Sequence, residues 1–478
     1  MRRLLLFALP LLACQADRDA EVHIARIENE LLPRILIQGE PAVTATLEER
    51  MVHHKVPGVS IAVINHGEVE WARGYGMADV EQARPVTTQT LFQAASISKP
   101  VAATAALRLV EEGVLVLDED VNRKLESWHV PANQYTAAEP VTLRRLVTHT
   151  AGLTVHGFPG YASDERVPTT IEVLDGAGNT DPIRADTTPG SMWRYSGGGY
   201  TVMQLLLADV TGKPFPLVLR ERVLDPAGMV ESTYEQPLPE DRRGMEATGY
   251  RDDGSEVKGK WHTYPEMAAA GLWTTPSDLA RFAIAIQRAY AGESSGVLAP
   301  EMAQQMLEPG MNGWGLGPAI GGDGKYFGHG GANEGFRCRF VAFIKGGQGA
   351  AIMTNSDNGG ALVEEILRTI ADEYDWPVLR PVEKVVAEVD PALYDELAGP
   401  YEFPGLGIIT LEVVDGRLWA RQVAMFLADV PGEPREELLP ESETEFFSRD
   451  EGTRVTFIRE NGRVTALEVS GRRAERVK

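Results

Sequence analysis

Cysteine is nearly absent from this chain: 478 residues hold two, Cys14 and Cys338. Two residues so far apart exclude a disulfide framework and a thiolate metal site. Cys338 lies in an apolar stretch and reads as a small buried hydrophobe. Basic charge is also short. Lys and Arg number 46 against 69 Asp and Glu, a formal charge of −23, which argues against a nucleic-acid partner because phosphate binding needs clustered cations. Long hydrophobic runs are missing beyond the first dozen residues, so no later stretch reaches the roughly 20 apolar residues of a membrane-spanning helix. Internal repeats and low-complexity tracts are lacking too. What remains, 43% hydrophobic and 24% charged residues, is ordinary globular usage. The length favours two domains over one core.

Met1-Arg2-Arg3 is a basic start, and Leu4 to Leu12 is a short apolar run followed by small residues. That is the layout of a signal peptide. Leu11-Leu12-Ala13-Cys14 resembles the bacterial lipobox, whose cysteine becomes the lipidated first residue of the mature chain. The alternative is plain cleavage after Ala13. Residues 1–14 are therefore expected to be a signal peptide, Cys14 a lipidation candidate, and the remainder a periplasmic or cell-envelope protein with a lipid anchor as its membrane contact.

The pattern along the chain predicts an α+β fold. Val59 to Ile64 and Val69 to Tyr75 flank an Asn65-His66-Gly67 turn and read as a hairpin. From Ser96 to Gly113, Val101, Ala105 and Leu109 recur at helical spacing. Further helices are expected at Leu143 to His149, Tyr200 to Val210, Ser277 to Tyr290 with Ser277 as N-cap, and Leu362 to Tyr374. Strands return at Arg337 to Ile344 and Ala350 to Thr354, so both ends of this region build one sheet with helices between. Residues 20–375 are read as the first domain and 376–390, with two prolines and alternating charges, as a linker. Residues 391–478 are read as a small all-β domain. Asp415-Gly416 and Asn461-Gly462 each sit between alternating runs, the strongest short-range hairpin signal. Val455 and Phe457 are expected on one face, as are Thr465, Leu467 and Val469. The loops Val155 to Arg194 and Arg251 to Glu266 are long enough to be cleft walls or lids.

Ser96-Ile97-Ser98-Lys99 opens a helix. An i, i+3 pair shares a helical face, so Ser96 Oγ and Lys99 Nζ can meet. A serine becomes a nucleophile when a neighbouring base takes its proton, and lysine serves when desolvation lowers its pKa. A helix start also offers free N–H groups to a developing negative charge. Downstream stand Tyr195-Ser196-Gly197 and His329-Gly330-Gly331-Ala332.

These three elements, in this order, resemble the penicillin-recognising serine hydrolases, nearest the branch of class C β-lactamases, D-alanyl-D-alanine carboxypeptidases, D-aminopeptidases and related esterases. The stretches Val56 to Val63, Leu143 to Leu153 and Ala269 to Leu279 fit the same pattern, which covers residues 45 to 360. The resemblance implies a β-lactamase-like antiparallel sheet flanked by helices, followed by a lipocalin-like C-terminal domain. It implies Ser96 as the acylated nucleophile, with Lys99 and Tyr195 as proton-transfer groups. The oxyanion hole would be the backbone N–H groups of Ser96 and Ala332, and His329, Gly330, Gly331 and Gly197 would bind substrate. No cofactor and no metal are implied, and the partner is a small-molecule or peptide substrate.

Two departures matter. The second motif usually ends in Asn and here ends in Gly197; the third is usually Lys-Thr-Gly and here is His329-Gly330-Gly331. A permanent cation facing a substrate carboxylate has become an imidazole with a reference pKa of about 6.5. Glycines at 330 and 331 are expected to open room beside the nucleophile. Together these favour D-amino-acid peptides or carboxylic esters over an efficient β-lactamase. The rivals are a true β-lactamase and a non-catalytic penicillin-binding-type module. His53-His54 reads as a surface pair, His149 as a buried, hydrogen-bonded structural residue, and Trp193, Trp273 and Trp314 as core or cleft packing.

Overall fold

After Pro57 the chain enters β1 (Gly58–Asn65), turns at His66-Gly67 and returns as β2 (Glu68–Asp79). His66 and Gly67 have φ of 52° and 74°, the left-handed pair that a two-residue type I′ hairpin requires. The structure, a computed structural model, describes residues 20–423 and 435–477; Cys14 and segment 1–14 lie outside the described residues. The hairpin is extended at its outer side by β3 (Arg84–Pro85). Far along the chain follow β4 (Ala319–Gly321), β5 (Tyr326–Asn333), β6 (Phe336–Phe343) and β7 (Gly349–Thr354). Ile352 of β7 pairs with Ile61 of β1, so the two ends close into a seven-stranded antiparallel sheet, ordered β3-β2-β1-β7-β6-β5-β4. β1 is buried along nearly its whole length, the mark of a central strand covered on both faces.

Helices fill the interval. α1 (Ser98–Glu111) is buried around most of its circumference and is the central helix of the core, which follows from its Ala-rich sequence with no charged residue between Lys99 and Arg108. α2 (Gly197–Thr211) starts three residues earlier than its apolar pattern suggested. The Ser196 side chain accepts the Gly199 N–H at 3.0 Å and holds three helix-poor glycines in the first turn. α3 (Pro276–Tyr290) buries Leu279, Phe282, Ala283 and Ile286. Its cap is Thr275, not Ser277: Pro276 takes the first helical position, where a missing N–H costs nothing, and Thr275 Oγ1 accepts from the Asp278 N–H. α4 (Gly359–Glu373) follows β7.

The described residues divide into two compact units, one of 20–24 with 48–367 and the other of 25–47 with 368–423 and 435–477. Residues 25–47, read from sequence as part of the first domain, thus fall with the second. The reason is a pairing that leaves little trace in sequence: Ile35–Ile37 runs parallel to Val382–Lys384, inside the segment expected to be a linker.

The second unit carries a closed barrel. β8 (Gly399–Phe403), β9 (Gly407–Val414), β10 (Arg417–Val423), β11 (Arg435–Pro440), β12 (Glu445–Ser448), β13 (Arg454–Glu460), β14 (Arg463–Val469) and β15 (Arg472–Arg476) pair in sequence order. Tyr401 of β8 meets Arg476 of β15 to shut the ring, an up-and-down arrangement without edges. Asp415-Gly416 and Asn461-Gly462 take positive φ at both positions, as their type I′ signal demands. The interior is packed rather than hollow, with Tyr401, Leu411, Leu418, Phe446, Val455, Phe457 and Leu467 in one cluster. Thr465 departs from expectation. A bulge opposite Ile458 and Arg459 makes it the extra residue, so Val464 is buried in its stead while Leu467 is buried as expected.

Candidate active site

Between the strand Phe92–Gln93 and α1 lies a single 3₁₀ turn, Ala95–Ile97. Ala95 has φ 49°, a left-handed conformation disfavoured for a residue with a Cβ and found where surrounding structure over-determines it. The Ser98 hydroxyl donates to Ala95 O and accepts the Leu272 N–H, which clamps the turn from below. Ser96 therefore sits in the 3₁₀ turn leading into α1 rather than in its first α-helical residue. It is half-exposed while its neighbours are buried.

One turn on, Lys99 is buried with its Nζ 2.9 Å from Ser96 Oγ and donating at 2.7 Å to Ala269 O. The Tyr195 and Tyr200 rings lie 4.9 and 5.8 Å from Nζ. None of the ion pairs of the described residues involves Lys99. Burial without a counter-charge brings its ammonium down from 10.5 to about 7.

Tyr195 enters at the end of a long loop, just before the Ser196 cap of α2. Burial pushes its phenol well above 10, with the Ser96 hydroxyl pulling the other way, so the phenol keeps its proton. Its oxygen lies 3.5 Å from His329 Nε2. His329 Nδ1 contacts the carbonyl of Gly330, and a carbonyl only accepts, so the proton resides on Nδ1. Nε2 is then a lone pair facing the Tyr195 hydroxyl. Burial, and secondarily the charge of Lys99, lowers the imidazole to about 3. Residue 329 is thus neutral at physiological pH, and the imidazole titrating near 6.5 that the sequence suggested is not what the cleft presents.

His149, set aside as structural, is half of what was expected. Its Nδ1 accepts the Ser196 N–H at 3.1 Å, but Nε2 is buried with no partner among the described residues. Its ring stacks on Tyr195 at 4.2 Å and 30°. Trp314 and Trp193 complete an aromatic wall, 5.5 Å apart and within 5.7 and 6.5 Å of Tyr195.

The glycines behave differently from expectation. A Cβ on Gly331 would lie 2.3 Å from Ala94 O and 2.5 Å from Cys338 Sγ. Gly331 therefore seats β5 against the start of the turn that carries Ser96 and opens no room. A Cβ on Gly197 would meet Phe158 at 2.9 Å and His156 O at 3.1 Å, so the space next to residue 197 is filled by Phe158. Only Gly330 is open, with nothing nearer than Cys338 O at 3.8 Å. Ala332 is exposed on the same strand. Asn333 anchors the strand's end, donating to Gln93 Oε1 at 2.8 Å and Ala270 O at 3.1 Å.

These groups line one cleft of about 780 Å³, into which Ser96, Lys99, Tyr195, His329, Gly330, Gly331 and Ala332 all project, together with His156, Phe158 and Trp193. Gly197 does not line it. The loop 155–194 is thus a cleft wall, whereas none of the lining residues comes from 251–266. That second loop holds Glu266, whose carboxyl is buried with neither oxygen partnered among the described residues and is pushed up to about 8 by burial. Sequence reasoning passed over Glu266, Phe158 and Arg339; the last two lay in segments assigned as loop and strand, and neither has a local pattern that marks a cleft. Among the described residues no group of three His, Cys, Asp or Glu side chains is placed to hold a metal ion.

The Beta-lactamase family model matches residues 43–374, and a domain of unknown function, DUF3471, matches 383–476. The chain is 24% identical over 433 residues to penicillin-binding protein 4* of Bacillus subtilis (strain 168), covering 84% of this chain and 90% of that one. It is 31% identical over 208 residues to esterase EstB of Burkholderia gladioli, covering 41% and 52%. Among solved structures, the octameric penicillin-binding protein homologue from Pyrococcus abyssi superimposes with a TM-score of 0.61 at 23% identity, covering 90% of this chain and 98% of that one. The D-amino acid amidase from Ochrobactrum anthropi SV3 gives 0.56 at 24%, covering 69% and 96%.

Proposed function

Since this chain belongs to the Beta-lactamase family, we propose that it is a serine hydrolase that cleaves amide or ester bonds through an acyl-enzyme on Ser96. The observation that carries the reading is the 2.9 Å approach of Lys99 Nζ to Ser96 Oγ, with an amine that burial holds near neutrality. A neutral amine accepts the hydroxyl proton as Oγ attacks the substrate carbonyl carbon. The backbone N–H groups of Ser96 and Ala332 receive the developing oxyanion. Collapse of the tetrahedral intermediate breaks the C–N or C–O bond, and the leaving group takes a proton from the Tyr195 phenol, which is reprotonated from Lys99. Water then attacks the ester on Ser96, delivers its proton along the same route in reverse, and frees the acid.

Substrates follow from the electrostatics. A neutral His329 offers no cation to a carboxylate, and the wall of Phe158, Trp193 and Tyr195 favours an apolar acyl or leaving group. D-amino-acid peptides and carboxylic esters fit this description, and an esterase and a D-amino acid amidase stand among the similar proteins. The test is labelling with a fluorophosphonate, joined to a panel of D-aminoacyl amides, p-nitrophenyl esters and nitrocefin. Ser96→Ala is expected to abolish labelling and lower kcat by at least about a thousandfold. A wild type that neither labels nor turns over any substrate would make the fold a non-catalytic module, and preferential nitrocefin turnover would make it a β-lactamase.

A further inference from the structure

We propose that His149 is a positioning residue: clasped to the backbone around Tyr195, the face of its imidazole holds the phenol in line for proton delivery to the leaving group. The inference rests on the hydrolase reading above, in which that phenol is the acid. His149 accepts hydrogen bonds from the residues on both sides of Tyr195. Its carbonyl takes the Arg194 N–H at 2.8 Å, and its Nδ1 takes the Ser196 N–H at 3.1 Å. Between these two clasps the imidazole stacks on the Tyr195 ring at 4.2 Å and 30°.

The surroundings hold His149 itself in place. Its φ of 59° is left-handed, uncommon for a residue with a Cβ and kept where neighbouring structure imposes it. It also begins a series of clasps. Gly190 N–H donates to Thr150 O at 2.7 Å, Gly198 N–H to Val155 O at 3.0 Å and Gly197 N–H to His156 O at 2.9 Å. Segment 149–156 is thus the bed on which the end of the Tyr195 loop lies. Tyr200 and Trp314 pack on the same imidazole at 5.2 and 4.9 Å, and Tyr200 is pinned in turn, donating to Val147 O at 2.9 Å. Because Nδ1 accepts from an amide, the ring proton resides on Nε2. Burial keeps the imidazole neutral, well below 6.5, so the clasp on Ser196 persists at neutral pH. Proton transfer needs a donor within about 2.6–3.2 Å of its acceptor. The phenol oxygen has to stay available for the leaving group, so its aim must come from the ring and the backbone behind it.

The experiment exploits two leaving groups on one acyl chain. p-Nitrophenyl butyrate releases p-nitrophenolate, which departs without a proton, whereas ethyl butyrate must take one from the phenol as its C–O bond breaks. The readout is the ratio of kcat/KM for the ethyl ester, followed by pH-stat, to that for the nitrophenyl ester. Tyr195→Phe is expected to lower this ratio about a hundredfold. His149→Asn keeps a residue that tolerates the left-handed backbone and an acceptor for Ser196 but loses the ring; it is expected to lower the ratio about tenfold. His149→Phe restores a ring face without the acceptor, and is expected to bring the ratio to within about threefold of wild type while losing stability in urea. A merely structural role would slow both esters alike. A ratio within about twofold of wild type in His149→Asn, or one about tenfold down in His149→Phe, overturns the proposal, while a Tyr195→Phe effect leaves the hydrolase reading standing. An unchanged ratio in Tyr195→Phe removes the phenol as the acid and overturns the proposal with it. A wild type without turnover or Ser96-dependent labelling overturns the hydrolase reading as well.

Discussion

Lys99 is the group on which the structure makes its sharpest demand, and replacing it by methionine separates folding from chemistry. At about 1.4 kcal/mol per pH unit, a fall from 10.5 to about 7 means that burying the amine costs on the order of 4 kcal/mol at neutral pH. The sign follows from proton counting. The unfolded chain holds the proton up to about 10.5 and the folded one sheds it above about 7, so wild-type stability rises with pH between those values. Lys99→Met removes this cost but also leaves Ala269 O, now accepting at 2.7 Å, without a donor, a loss of about 1–2 kcal/mol. The variant is expected to be inactive yet more stable by about 2 kcal/mol at pH 7, with the advantage vanishing by pH 10. Urea unfolding followed by tryptophan fluorescence at pH 6, 7, 8.5 and 10 measures it. The same shift fixes the kinetics. The rate of fluorophosphonate labelling on wild-type Ser96 is expected to rise about tenfold from pH 5 to 6 and to level off above 8. A variant destabilised at pH 7, or a labelling rate that keeps climbing to pH 10, would refute the claim that desolvation alone tunes this amine.

Two further outcomes come from packing and from a second buried acid. Gly331→Ala places a methyl 2.3 Å from Ala94 O and is expected to cost about 2 kcal/mol or more and to slow acylation by shifting the nucleophile turn, whereas Gly330→Ala is expected to be near neutral in stability; equal effects in urea melts would show that β5 does not depend on close approach at 331. Glu266 keeps its proton in the folded state up to about 8 but loses it above about 4.5 when unfolded, so stability falls as pH rises between these values. Glu266→Gln is expected to match wild type near pH 4.5 and exceed it by about 4 kcal/mol at pH 8; parallel pH profiles for the two proteins would contradict the burial of that carboxyl.

The parts of this molecule that sequence displays are those decided within a few residues. His66-Gly67, Asp415-Gly416 and Asn461-Gly462 announce their hairpins because left-handed backbone at two adjacent positions restricts residue type strongly. Ser96 and Lys99 meet because the turn-to-helix geometry brings i and i+3 together whatever else surrounds them. The small β-domain, too, shows in alternation plus turns, whereas the closure of its barrel and the bulge at Thr465 do not. Residues 25–47 join the second unit through a three-residue parallel pairing, too short to leave a periodic signal. Thr275 displaces Ser277 as a cap because Pro276 fixes where the helix can begin.

The site's electrostatics lie further from the sequence, because they depend on what is absent around each group. The chain carries a net charge of −23, yet among the described residues Lys99 has no acidic partner and Glu266 no basic one. An excess of carboxylates that is kept away from one particular amine is a property of three-dimensional placement, and composition points the wrong way. The same holds at residue 329. The change from lysine to histidine in the third motif suggests a weaker, pH-dependent cation, but the contact of Nδ1 with Gly330 O and the burial of the ring turn it into a neutral acceptor for the Tyr195 hydroxyl. Tyr195 then keeps its proton at rest for two reasons that reinforce each other, desolvation of the phenolate and a lone pair aimed at the hydroxyl. Those reasons keep the phenol protonated while the amine is partly free near pH 7, which is why the proposed mechanism gives proton abstraction from Ser96 to the amine and delivery to the leaving group to the phenol.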